Sequence, residues 1–192
     1  MTLRQTLLEP APAQECDLPA IWLLSDARND SGLEAALAKL PRRSGFIFRH
    51  YHLDPKLRRE RFRTLSAIAR KHGHLVVLSD EAALARRWGA EGIYGAPGRI
   101  RRAGGSSVGF LHLATAHNLP EIVASQRAGA DAVLISPIFA TRSHEDAKTL
   151  GPVRFGLLAR KARIPVIALG GMDAGKAKRL GWPRWAAIDG LS

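Results

Sequence analysis

The sequence has a single cysteine and lacks any long hydrophobic run. Because Cys16 has no partner in the chain, an internal disulfide is excluded, and a reducing cytoplasm is expected. No apolar stretch approaches the ~20 residues that cross a bilayer, so no membrane partner is expected. Residues 1–20 mix Glu9, Glu15 and Asp17 with prolines and lack the continuous apolar core of a signal peptide.

Acidic residues are also scarce, which gives the chain a strong positive charge. Twenty-nine Lys and Arg against 17 Asp and Glu leave a formal net charge of +12 over 192 residues. Such a charge concentrates anions near the protein, either phosphorylated metabolites or nucleic acid. Because the arginines are scattered and no aromatic-rich binding motif appears, nucleic acid is not the expected partner. Several basic residues are interpreted as solvated helix faces: Arg58, Arg59, Arg61, Arg63, Arg70 and Lys71.

Eight short apolar runs punctuate the chain, and most are continuous, as in strands buried on both faces of a parallel sheet. They are Ile21–Ser25, Gly45–Arg49, Leu75–Ser79, Gly92–Gly95, Val108–Leu113, Ala132–Ser136, Pro165–Leu169 and Trp185–Ile188. Their alternation with helical segments predicts an α/β protein, and eight such units predict a (β/α)8 barrel of the TIM type. One minimal barrel domain is predicted over 21–192, after an N-terminal extension over 1–20.

Helix starts are marked by capping residues. The predicted caps are a Ser31/Glu34 capping box, Asp54 before Pro55, Asp80, Asn118 and Asp173, and Pro152 opens a further helix. The fourth crossover, 96–107, is rich in Gly and Arg and is predicted to be a loop. No eighth helix is expected after the last strand, and residues 1–20 or a second copy of the chain in a homodimer would cover that flank.

Ligands of such a barrel bind where the strands end. The candidates there are Asp26, Arg49, Asp80, Tyr94, Thr115, Ser136, Thr141, Gly170, Gly171 and Asp189. Gly170 and Gly171 would let the backbone and the next helix N-terminus approach an anion, which predicts a phosphate site. After the sixth strand, Ser136-Pro137 begins a rigid loop whose Thr141 and Ser143 hydroxyls suit the polar end of a small ligand.

These motifs resemble one known family, in order and over nearly the whole chain. The resemblance to the thiamine phosphate synthase/TenI family rests on Gly129-Ala-Asp, Ser136-Pro-Ile-Phe-Ala-Thr and Ile164-Pro-Val-Ile-Ala-Leu-Gly-Gly-Met. It implies a synthase that joins a hydroxymethylpyrimidine pyrophosphate to a thiazole phosphate with Mg²⁺ and releases pyrophosphate. The alternative within the family is a metal-free tautomerase of the thiazole phosphate.

The resemblance implies a pyrophosphate and metal site in which several of the family's residues are replaced. Arg49 is the surviving member of a Gln-x-Arg-x-Lys pattern, and Asp80 is the surviving metal carboxylate. The second metal carboxylate falls near Gly98-Arg99, so Mg²⁺ would be held weakly if at all. His144, with Lys148 nearby, stands where the family has a Lys that meets pyrophosphate.

The resemblance also assigns the phosphate and proton-transfer residues. The phosphate-binding residues are Gly170, Gly171, Thr141, Ser143, Thr115, Arg49 and Gly190, the last beside an Asp189 that replaces a small residue. The catalytic residues are His117, a residue type that can both accept and donate a proton, and Arg49.

Three functions remain open from the sequence. A synthase would need Arg99, Arg101 and Arg102 to replace Mg²⁺ and Lys around the pyrophosphate. A tautomerase needs His117 and the phosphate site. The third reading is a non-catalytic protein that binds a phosphorylated ligand or nucleic acid. His50 and His52 have the spacing of a zinc pair, but the sequence offers no third ligand.

Overall fold

The fold is built on a closed barrel of eight parallel strands, paired in chain order from β1 to β8 and from β8 back to β1. This computed structural model describes residues 18–101, 109–140 and 148–191. The strands are β1 (Ile21–Leu24), β2 (Gly45–Phe48), β3 (Leu75–Leu78), β4 (Gly92–Gly95), β5 (Leu111–Ala116), β6 (Ala132–Ile135), β7 (Val166–Leu169) and β8 (Trp185–Ala187). The predicted TIM-type barrel is confirmed.

Helices follow most of the strands. They are α1 (Leu33–Lys39), α2 (Pro55–Lys71), α3 (Ala82–Trp88), α4 (Leu119–Arg127), α5 (Gly151–Ala159) and α6 (Ala174–Leu180). Two 3-10 helices, Ala27–Gly32 and Asp189–Leu191, follow β1 and β8. Between β4 and β5 the described residues, 96–101 and 109–110, form turns without a helix, as predicted for that crossover. None of the helices in the described ranges is long and apolar enough to span a bilayer.

Alternate side chains along each strand belong to two separate apolar layers. The inner layer contains strand residues such as Trp22, Ile47, Val77, Leu134 and Ile167, and none of its described members lies in a helix. The outer layer joins the other strand face to the buried sides of the helices. Strands buried on both faces explain why the apolar runs are continuous in the sequence.

The fifth strand was predicted three residues too early. Gly109 lies in a turn with φ +86°, and β5 begins at Leu111, which pairs with Gly92 of β4. The strand continues through Thr115 and Ala116, which pair with β6. Thr115 therefore lies within the sheet, because pairing with both neighbours, and not apolar character alone, sets where a strand ends.

The predicted helix caps fall into two groups. Asp54, Asn118 and Asp173 each accept hydrogen bonds from backbone N–H groups of the following helix, as predicted. The capping box at Ser31 was wrong, because Asp26 caps a 3-10 helix that runs directly into α1. The cap at Asp80 was also wrong: α3 has Glu81 at its N-cap with no side-chain hydrogen bond, and the Asp80 carboxylate is engaged elsewhere.

Candidate functional site

A cavity of about 900 Å³ opens at the carboxyl ends of the strands. Many of the residues predicted from the sequence line it: Arg49, Tyr94, Thr115, His117, Ser136, Gly170, Gly171, Asp189 and Gly190. Thr141, Ser143, His144 and Arg102 lie outside the described residues. Lys148 and Arg101 are exposed and Asp80 is half-buried, and none of the three is among the lining residues.

The loops after β6, β7 and β8 meet backbone to backbone, and glycines make this approach possible. A Cβ atom on Gly171 would lie 2.3 Å from the Ala140 carbonyl oxygen, and one on Gly190 would lie 2.2 Å from that of Met172. Gly170 and Gly171 have φ angles of +99° and +61°, which favour glycine. Among the described residues, no hydrogen bond uses the Gly171 N–H, so this donor remains available to an anion in the cavity.

Lys176, which was not predicted from the sequence as a site residue, adds a positive charge to these loops. Its Nζ donates to the Gly171 carbonyl oxygen at 2.6 Å and lies 3.2 Å from Asp173 Oδ2. Its presence in the first turn of α6 is itself a signal, because the helix dipole disfavours a cation there. Asp173 already caps this helix through the Lys176 N–H at 2.8 Å. A bound anion would therefore meet the Lys176 ammonium and the loop N–H groups rather than a free helix N-terminus.

Arg49 brings a second cation into the cavity from the end of β2, which β1 separates from β8. Its NH2 atom lies 3.5 Å from Asp26 Oδ2, and its guanidinium lies 5.7 Å from the centre of the Tyr51 ring. Burial alone would raise the pKa of Asp26, but hydrogen bonds from Arg28 and the charge of Arg49 hold it below its usual 3.8. Asp26 therefore stays ionised, and its charge restrains the Arg49 side chain at the carboxyl end of β2.

The carboxylate of Asp189 would repel a phosphate bound beside it, but this carboxylate has a cationic neighbour. Its Oδ2 atom lies 3.7 Å from Arg28 NH1, and the same arginine donates to Asp26 at 3.0 Å. A neutralised carboxylate repels a bound phosphate less than a free one. Asp189 is therefore compatible with an anion at Gly190.

His117 lies exposed at the rim, with one ring nitrogen fixed. Its Nδ1 lies 2.8 Å from the Ser136 carbonyl oxygen, which can only accept, so Nδ1 carries a proton. In the neutral ring Nε2 is then the basic nitrogen. The backbone N–H of His117 donates to Glu121 Oε2 at 2.8 Å, which anchors the residue at the start of α4. This arrangement suits proton transfer at the cavity rim.

Tyr94 lies at the bottom of the cavity. Burial raises the pKa of its phenol, which a hydrogen bond with Thr115 and the charge of Arg49 counter only in part. The phenol therefore stays protonated and can donate a hydrogen bond to a ligand. Thr115 thus reaches the cavity from within β5 and acts on it together with Tyr94.

Comparison with known proteins agrees with this architecture. Residues 25–184 match the family described as thiamine monophosphate synthase, TMP-TENI. The chain belongs to this family. It is 35% identical over 134 residues to the thiamine-phosphate synthase of Geobacillus kaustophilus, a match that covers 68% of this chain and 59% of that protein. It is 27% identical over 170 residues to that of Synechococcus sp., covering 84% of this chain and 48% of the relative.

The structural comparison supports the fold. The thiamine phosphate pyrophosphorylase of Pyrococcus furiosus superposes with a TM-score of 0.70 at 20% identity, covering 90% of this chain and 86% of that one. The chain spans about half to three-fifths of the length of the curated relatives it matches.

The residues present do not fit the Mg²⁺ that the family resemblance implies. Asp80 Oδ2 accepts from Arg58 NH1 at 2.5 Å, and Oδ1 accepts from the Glu81 N–H at 2.9 Å. Both oxygens are thus occupied by protein donors. Arg99, which lines the cavity after β4, places a positive charge where a second carboxylate would be needed.

The described part of the chain offers no second metal position either. Across the described ranges, no three His, Cys, Asp or Glu side chains lie close enough to share an ion. His50, one half of the zinc-type pair, is buried with Nδ1 at 2.8 Å from Ser25 Oγ and Nε2 at 2.6 Å from Asp30 Oδ1.

Two of the arginines interpreted as solvated are in fact largely buried or paired within the fold. Arg58 is 8% exposed, and Arg61 forms ion pairs with Asp30 and Glu34. Arg70 pairs with Glu91 but is exposed, as predicted. The helical period of α2 had assigned these positions to the surface. The acidic partners come from β-strand ends and neighbouring helices far away in sequence, so no local pattern reveals them.

Proposed function

We propose that the chain acts as a thiamine phosphate synthase-like transferase of thiamine biosynthesis. In this reaction the methylene carbon of a hydroxymethylpyrimidine pyrophosphate bonds to the ring nitrogen of a thiazole phosphate. The bond from that carbon to the pyrophosphate oxygen breaks, and the leaving group takes the electron pair. The names of the curated relatives support this proposal, and so does the charge distribution of the cavity.

The observation that carries the proposal is the position of the cations. Lys176, together with Gly171 and Gly190, lies on the β7–β8 side of the cavity. Arg49 and Arg99 lie after β2 and β4, which β1 separates from the β7–β8 loops. Two separate cationic sides fit two phosphorylated ligands, and a cavity of about 900 Å³ is large enough for both.

Each side has a chemical task in the proposed reaction. The β7–β8 loops would hold the thiazole phosphate, whose charge does not change during the reaction. The guanidinium groups of Arg49 and Arg99 would hold the pyrophosphate and stabilise the negative charge that develops as it leaves. The Tyr94 hydroxyl, which lines the same cavity, would orient the acceptor ring.

The second candidate is the metal-free thiazole phosphate tautomerase, and the geometry of His117 favours it. An imidazole accepts a proton from a carbon acid through an unprotonated Nε2. The contact with the Ser136 carbonyl oxygen favours this form in the neutral ring, because it keeps the hydrogen on Nδ1. This reaction would use the β7–β8 side alone and would leave Arg49 and Arg99 without a ligand. For that reason it is the weaker proposal.

The test is turnover by the purified chain with both phosphorylated substrates. We expect thiamine phosphate and pyrophosphate in equal amounts, measured by mass spectrometry. Interconversion of the thiazole tautomers without the pyrimidine substrate, lost in His117→Ala by about 10²–10⁴-fold, would instead establish the tautomerase. If neither product forms, both candidates are contradicted.

Two further parts of the proposal are a cytoplasmic location and a homodimer. Light scattering tests the homodimer.

A further inference from the structure

Buried polar side chains bind both backbone groups of Arg49, its N–H and its carbonyl oxygen. Its N–H donates to Ser25 Oγ at 2.8 Å, and its carbonyl oxygen accepts from Arg58 Nε at 2.9 Å. The two partners lie 24 residues before and 9 residues after Arg49 in the sequence. Such a pair of contacts fixes the backbone from which the Arg49 side chain enters the cavity.

Arg58 in turn is held by Asp80 and by aromatic rings. Its NH1 and NH2 atoms donate to Asp80 Oδ2 and to the Ser79 carbonyl oxygen, at 2.5 and 3.1 Å. The guanidinium also lies 5.6 Å from the centres of the Tyr51 and Trp88 rings. All three guanidinium nitrogens are therefore in use, and the orientation of Arg58 is fixed.

We infer that Asp80 and Arg58 are positioning residues for Arg49 and that the cavity binds pyrophosphate without a divalent cation. Asp80 acts through the buried Arg58 guanidinium, which already donates to the carboxylate oxygen that a metal would use. A carboxylate that has both oxygens paired with protein donors gains little from a metal, since the ion would first have to displace Arg58. The positive charge near the ligand comes instead from the guanidinium groups of Arg49 and Arg99.

The role of Arg49 toward a leaving pyrophosphate rests on the proposed function, so the experiment measures binding and not turnover. Inorganic pyrophosphate is titrated calorimetrically into the whole chain, in EDTA and again in excess MgCl₂. We expect the two dissociation constants to agree within about twofold. A dissociation constant that tightens tenfold or more with Mg²⁺, or no binding at all, would overturn the inference.

Substitutions then test the route through Arg58. Asp80→Asn should weaken pyrophosphate binding about tenfold, as expected for the loss of one charge-assisted contact. In an Arg49→Gln background the same substitution should change binding by less than twofold, because Arg49 is the group that Asp80 positions. Additive losses would contradict the inference. Arg58→Lys, which keeps the charge but loses the planar fork, should weaken pyrophosphate binding as Asp80→Asn does. Arg59→Lys, the same change at an exposed neighbour on α2, is the control and should leave binding unchanged.

Manganese provides a readout that an ordinary structural role would leave unchanged. Electron paramagnetic resonance of the wild-type chain titrated with Mn²⁺ should show no stoichiometric site. Stoichiometric Mn²⁺ that Asp80→Asn abolishes would show that Asp80 is a metal ligand and would overturn the inference. Failure of the turnover assay with metal-independent, coupled pyrophosphate binding intact would contradict the proposed function alone.

Discussion

At the scale of single residues, the site depends on groups whose surroundings decide their role. Asp80 and Arg58 illustrate this, since a carboxylate at a strand end resembles a metal ligand until its partner is known. Glycines illustrate it too. Gly171 has no room for a side chain, whereas Gly156 in α5 has no atom within 4 Å of an added Cβ.

This contrast gives a matched pair of substitutions. Gly171→Ala should lower the free energy of unfolding by about 1–3 kcal/mol, because the added carbon collides with the Ala140 carbonyl oxygen. Gly156→Ala should raise it by about 0.5–1 kcal/mol, since alanine is the better helix former. Urea denaturation followed by circular dichroism measures both. A neutral Gly171→Ala would show that the loops after β6 and β7 separate easily.

Two buried histidines predict how stability responds to mild acid. Burial holds the pKa values of His50 and His74 below their usual 6.5, although hydrogen bonds to Asp30 and to the Leu37 carbonyl oxygen oppose this. Below pH 6.5 the unfolded chain therefore binds protons before the folded chain does. The free energy of unfolding should fall as the pH drops from 6.5 toward the lower folded values.

The measurement is the urea midpoint as a function of pH, with the slope giving the proton uptake on unfolding. His74→Gln, which keeps a donor for the Leu37 carbonyl oxygen, should remove part of the slope and leave the part due to His50. An unchanged slope would show that His74 does not contribute. A second decline is expected as the pH falls below 3.8, where Asp26 and Asp30, whose pKa values are held low by their arginine and histidine partners, become protonated.

At the scale of elements, the helix starts show which features of the fold are set by neighbouring residues and which are set by residues distant in sequence. The caps at Asp54, Asn118 and Asp173 were predictable because a cap and its helix are adjacent in sequence. Ser31 and Asp80 were wrongly assigned because the hydrogen bonds that matter there come from a 3-10 turn and from Arg58. The fifth strand was misplaced because its ends are set by pairing with β4 and β6.

Asp54 and Ser31 therefore form a test of capping. Asp54 Oδ1 accepts from the Lys56 and Leu57 N–H groups at 2.9 and 3.0 Å. Asp54→Ala should lower the free energy of unfolding by about 1 kcal/mol. Ser31→Ala should change it by less than about 0.5 kcal/mol, as at an ordinary exposed position. Equal losses at the two positions would contradict the described start of α1.

At the scale of the whole molecule, the barrel and the place of its cavity could be predicted from the sequence. Continuous apolar runs and the rule that ligands bind at strand ends were sufficient for that. The charge arrangement could not be predicted, because Arg58, Arg61 and Lys176 find their partners only when the strand ends come together. Lys176 was missed although its place in the first turn of α6 indicated a partner outside the helix.

The phosphate site proposed on the β7–β8 side predicts that the stability of the whole barrel depends on phosphate. A ligand that binds only the folded chain raises the free energy of unfolding, by about 2.7 kcal/mol at a concentration one hundred times its dissociation constant. Inorganic phosphate should therefore raise the melting temperature of the wild-type chain, and less so at high ionic strength. Lys176→Met should abolish most of this increase. Lys178→Met removes the same charge from an exposed position on the same helix and should retain it. Equal responses in the two variants would mean that phosphate binds through the general positive charge of the surface and not at the loops that Gly171 and Lys176 form.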